Sequence, residues 1–129
     1  MRSDALKDII VNLLVSKKAE DIVIINMKEK VDFTDFFIIC NTHSTRHAQG
    51  LADYIIFELE KLGIKPIGVE GLELGQWIVL DYDVVVVHIF YEPIRKVYDL
   101  EELWCDEKTC ESIKPDKDAQ ERLHLEKQN

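Results

Sequence analysis

His43 and His47 stand four apart, so one helical face could present both imidazoles. Zinc sites use such pairs but need further ligands. No HExxH, no CxxC and no third ligand accompanies them in sequence, and Ser44 as a helix cap would leave His43 outside the helix. No metal and no cofactor are therefore expected. Asp32 and Asp35 flank Phe33 and Thr34. Paired acids can hold magnesium for phosphoryl transfer, but the useful pattern is Asp-x-Asp on a strand after a Gly-Ser turn, and neither is present. Those acids are read as shaping the approach to a strand, with Thr34 bonding locally to backbone. Gly68, Gly71 and Gly75 match no phosphate-cradling spacing and are assigned to turns. Cys40 ends a candidate strand near His43, a setting that can activate a thiol; with no oriented base in view, it is read as a small buried hydrophobe.

The segment with most to offer is aromatic and acidic. Trp77, Tyr82, Phe90, Tyr91, Tyr98 and Trp104 are interleaved with Asp81, Asp83, Asp99, Glu101 and Glu102. Aromatic anchors beside acids suit a hot spot for a basic partner. The competing role for each ring is core packing, and for each acid a solvated face. The formal net charge of −9 disfavours a phosphate-driven grip on DNA, which needs clustered Lys and Arg. It favours encounter with a basic protein.

The elements that must position these residues follow from periodicity. Leu6, Ile9, Ile10, Leu13 and Leu14 recur at helical spacing, with Ser3 or Asp4 as cap. Residues 22–27 and 36–40 read as strands. Ala48, Leu51, Ala52, Ile55, Leu59 and Leu62 form one helical stripe between Ser44 and Gly63. Residues 65–69 make a short strand. Residues 77–80 and 84–90 make a hairpin turning at Asp81-Tyr82-Asp83. Pro93 starts a short helix, and Asp99 with Glu102 forms a capping box for another. The order predicts an α/β sandwich around one mixed sheet.

A chain of 129 residues suits one domain. It is placed at residues 1–106, followed by a charged, mobile tail at 107–129 with a frayed helix around 119–127. No run approaches the length of a membrane span, and no secretory or organellar leader is seen. A cytoplasmic protein is expected. The three cysteines, Cys40, Cys105 and Cys110, form no paired framework and are expected to be reduced thiols.

The motifs together resemble the Iojap-like ribosomal silencing factors. The likeness lies in Glu70-Gly71-Leu72, Gln76 to Tyr82, Val85 to Phe90, Tyr98-Asp99-Leu100-Glu101 and Leu103-Trp104. Upstream, Thr34 to Ile39 and Ser44-Thr45-Arg46-His47 match the family's strand and helix start. The family's hairpin turn reads Asp-Tyr-Gly-Asp; here it is Asp81-Tyr82-Asp83-Val84. The resemblance implies a nucleotidyltransferase-like α/β fold without catalytic residues, a homodimer and no enzymatic activity. It implies binding to large-subunit ribosomal protein fourteen on the 50S subunit, blocking small-subunit joining and repressing translation when nutrients are limiting. Partner contact falls on Glu70, Trp77, Asp81, Tyr82, His88, Tyr98 and Asp99. A residual nucleotidyltransferase-type enzyme and a general acidic interaction module are the alternatives.

Overall fold

The computed structural model describes residues 2–113. Helix α1 (Ser3–Ser16) buries Leu6, Ile10, Val11 and Leu14, the stripe its periodicity demands. Its N-cap is Arg2, with no side-chain hydrogen bond, so neither Ser3 nor Asp4 caps it. Strand β1 (Glu20–Asn26) and the fully buried β2 (Phe36–Thr42) follow. Helix α2 (Thr45–Lys61) begins at Ser44, whose hydroxyl accepts the His47 N–H at 2.9 Å. It ends on Gly63 at φ 78°, with the Gly63 and Ile64 amides donating to Glu60 and Leu59 carbonyls. This is the left-handed termination that glycine makes easy.

Strand β3 (Gly68–Glu70) is shorter and later than expected; Pro66 has no N–H to give a ladder. Strands β4 (Trp77–Asp81) and β5 (Val85–Tyr91) form the hairpin. Asp83 takes φ 70° in its turn, and the Asp81 carboxylate accepts the Asp83 N–H at 2.8 Å. Asp tolerates that geometry better than most residues. Helix α3 (Glu92–Tyr98) carries Pro93 in its first turn. Helix α4 (Leu100–Trp104) starts at Asp99, which sits at φ 44° and accepts the Glu102 N–H at 3.3 Å.

Strand β6 (Cys110–Ser112) corrects the boundary drawn at residue 106. It pairs antiparallel with β1, so the charged segment supplies a sheet edge. Asp106 organises the connection by accepting from the Lys108 amide and from the amide and hydroxyl of Thr109. Lys30, at 3.0 Å, adds a charged hydrogen bond. These bonds, Lys30's first, hold the Asp106 carboxyl well below the usual range. The turn brings Cys105 and Cys110 together as a disulfide, correcting the expectation of three free thiols. Cys40 alone is free, and it is buried. The helix expected around 119–127 lies outside the described residues.

The six strands run β3-β4-β5-β2-β1-β6. Among the described residues, only β2 and β5 pair in parallel; the other pairs are antiparallel. Alternation along each strand divides the apolar residues between two faces. One face carries Ile24, Ile38, Leu80, Val87 and Ile89 and packs against the buried stripes of α1 and α2. The other carries Ile25, Phe37, Ile39, Val86 and Phe90 under the short helices α3 and α4. Two long helices seal the first face; the second is the one with aromatic surface to spare. Among the described residues, no helix is long and apolar enough to cross a membrane.

Candidate functional site

Cross-strand register puts Trp77 opposite Phe90, Val79 opposite His88 and Asp81 opposite Val86. Glu70 lies opposite Val79. Directly paired residues share a face, so Glu70, Trp77, Val79, Asp81, His88 and Phe90 all belong to the second face. The rings there form a continuous layer. Trp77 stacks on Phe90 at 5.1 Å, and Tyr98 lies against Trp77 at 4.5 Å. Phe37 meets His88 edge-on at 4.7 Å and Trp104 at 6.2 Å. Such offset and edge contacts add to the stabilisation from burial.

Helix α3 is docked by a buried arginine that the sequence did not single out. Arg95 donates through Nη1 to the Asp21 carbonyl and to Asn41 Oδ1, both at 2.6 Å, and through Nε to Glu101 at 3.3 Å. These bonds tie α3 to β1, β2 and α4 at once. Tyr98, at the end of α3, is thereby held over Trp77. Removing Arg95 would leave three acceptors without their donor in a partly buried setting.

The seven residues expected at the partner surface separate on this geometry. Tyr98 is 54% exposed, Trp77 is half-buried and Glu70 is exposed. Asp81 is half-buried at the hairpin turn. Asp99 is half-buried and caps α4. Tyr82 is corrected: it is buried in the helix-covered core, because its odd spacing from Trp77 turns its ring to the face shared by Ile78 and Leu80. Burial pushes its phenol up to about 12. His88 is corrected too: it is buried beneath the ring layer rather than offered to a partner. Trp77 Nε1 donates to His88 Nδ1 at 3.1 Å, which fixes Nδ1 as acceptor and puts the neutral ring's proton on Nε2. Burial lowers the His88 pKa to about 4. His88 is thus a neutral support that orients Trp77.

Three apolar side chains on α3, α4 and the β3–β4 loop stand open to solvent. Leu74, Val97 and Leu103 are each about 70% exposed. Gly71, Leu74, Gln76, Trp77, Ile94 and Tyr98 line a notch of about 180 Å³. Gly71 takes φ 76°, and a side chain there would run into the Trp77 carbonyl, so this glycine lets the β3–β4 loop fold back against β4. Gln49 pins the same loop by donating to the Leu72 and Glu73 carbonyls at 3.0 and 2.7 Å. Exposed Leu74 beside the half-buried Trp77 and exposed Tyr98 has the composition of an interaction surface.

The other chemical candidates fall out differently. Cys40 is fully buried, and its thiol is pushed up to about 12, chiefly by burial; it is no nucleophile in this state. His47 turns away from His43 toward the Lys17 carbonyl at 3.1 Å. His43 instead contacts Glu20 at 2.6 Å and Glu92 at 3.1 Å. Both carboxylates beside His43 thus come from residues far from it in sequence.

Comparison with known proteins shows the family and the fold. The family model described as "Ribosomal silencing factor during starvation" matches residues 1–129. The ribosomal silencing factor of Halalkalibacterium halodurans is 37% identical over 111 residues, 86% of this chain and 95% of that protein. A mouse protein named "Mitochondrial assembly of ribosomal large subunit protein 1" is 30% identical over 100 residues, 75% of this chain and 44% of its own length. A crystal structure of a Chromobacterium violaceum protein superposes with a TM-score of 0.79 at 26% identity, covering 92% of this chain and 98% of that one.

Proposed function

The chain belongs to the ribosomal silencing factor family, and from that premise we propose that its aromatic face binds large-subunit ribosomal protein fourteen. Bound there, it blocks association with the small subunit and represses translation when nutrients are limiting. The action is steric and needs no enzymatic chemistry. The observation that carries the reading is the Trp77–Tyr98 pair, with Tyr98 more than half exposed, on the same sheet face as Glu70 and Asp81 in a chain of net charge −9. An apolar anchor supplies affinity, while surrounding acids favour a basic ribosomal protein and steer its approach. The large subunit as target is supported by the name of the mouse relative. The protein acts in the cytoplasm and as a homodimer, the exposed apolar and aromatic residues near the hairpin and α3–α4 offering a patch that wants cover.

The direct test is titration of purified ribosomal protein fourteen against the intact chain, followed by calorimetry at two salt concentrations. Saturable binding that weakens as salt rises supports the reading. Absence of binding, with capture of a different basic protein from lysate, would make this a general acidic interaction module instead.

A further inference from the structure

We propose that Glu20, His43 and Glu92 form a divalent-cation site fitted to zinc, where β2 and β5 end. Three elements converge there. Glu20 opens β1, His43 follows directly on β2, and Glu92 opens α3 directly after β5. The sheet sets their backbones: Glu20 pairs with Asn41, and Thr42 pairs with Tyr91. Each candidate ligand is therefore itself in the ladder or one residue beyond it. His43 Nε2 is 2.6 Å from Glu20 Oε1, and His43 Nδ1 is 3.1 Å from Glu92 Oε2. One ligand atom from each residue lies within 4.8 Å of the other two.

The donor set favours zinc among divalent cations. One imidazole nitrogen with two carboxylate oxygens suits zinc, with water completing the shell. Two carboxylates this close repel unless a cation lies between them. Arg95, one turn along α3 from Glu92, is already committed to Asp21, Asn41 and Glu101. His43 has 69% of its side chain exposed, so an entering ion has room to draw the ring out of its two carboxylate contacts and take a single nitrogen. The competing occupant is a proton: an imidazolium donating to both carboxylates would satisfy the same geometry. A bound ion would clamp the start of α3 to β1 and β2.

The test is a zinc titration of the full chain, purified without a metal-affinity tag and stripped by chelator, against a colorimetric zinc indicator near neutral pH. The expected result is one zinc per chain. Affinity should fall by about tenfold or more in His43→Ala and in the Glu20→Gln/Glu92→Gln pair, since even indirect perturbation of metal ligands costs about that much. His47→Ala and Cys105→Ser/Cys110→Ser should bind as the parent does. Zinc should also raise the melting temperature of the parent and not of His43→Ala. No saturable binding by the parent overturns the proposal and leaves His43 as a proton-bridged ion pair. Equal binding by His43→Ala, or loss only when His47 or the cysteines are changed, overturns it as well.

Discussion

Tyr98 and Trp77 touch, yet truncating them should have different consequences. Tyr98 is more than half exposed, so Tyr98→Ala should weaken binding of ribosomal protein fourteen by about 2 kcal/mol, roughly 30-fold in Kd. Its melting temperature should hardly move. Trp77 also donates to His88 and stacks on Phe90, so Trp77→Ala should lose binding and stability together. Calorimetry paired with thermal melting separates the two cases; a Tyr98→Ala variant that binds normally would remove the anchor from the account. His88 gives a pH signature. Its folded pKa is lowered to about 4, by burial, from an ordinary 6.5. The unfolded chain therefore takes up a proton first, and stability present above pH 6.5 is lost as pH falls toward 4, by about 3 kcal/mol. His88→Phe should flatten that slope; an unchanged slope would locate the acid sensitivity elsewhere. At this scale the sequence showed which residues were capable of contact but not which way they point. Tyr82 sits five residues after Trp77, and that odd spacing along the strand sends it to the opposite face, which composition alone does not encode.

The strands and helices with strong periodicity were legible because burial on one face repeats along them, as in α2 with its Ser44 cap and Gly63 exit. Strand β6 was not. It is three residues in a charged stretch, and its partner β1 stands some 85 residues earlier in the chain. The disulfide was invisible for the same reason: only the turn organised by Asp106 brings Cys105 beside Cys110. The Glu20–His43–Glu92 cluster depends on strand order, which no local pattern carries. The disulfide closes a short loop, so its loss should cost up to about 2 kcal/mol on the chain-entropy view. Reduction should also speed hydrogen exchange at the Ile113 amide, which bonds the Ile22 carbonyl beside β6 at 2.8 Å. A Cys105→Ser variant should show the faster exchange already and respond no further to reductant. Unchanged exchange on reduction would mean that pairing with β1 holds β6 unaided.

As a whole, the chain is a sheet with one face sealed by α1 and α2 and the other left with surplus rings, on a molecule of net charge −9. If that surplus also serves self-association, light scattering at micromolar concentration should give twice the chain mass, and a monomer mass across the range would refute the homodimer. A folded chain of this size is about 30 Å across, wider than the gap in a close-packed subunit interface. Occupying the large subunit would then suffice to prevent joining. Inhibition should require stoichiometric protein and no nucleotide, should weaken as salt rises because the steering charges are screened, and should be relieved when small subunits already hold the interface. Sedimentation of purified ribosomal subunits mixed with increasing amounts of this protein tests this most directly. The account predicts that joined ribosomes give way to free subunits as the protein approaches one copy per large subunit. Joined ribosomes forming unimpeded at saturating protein, or inhibition that depends on nucleotide hydrolysis, would contradict it.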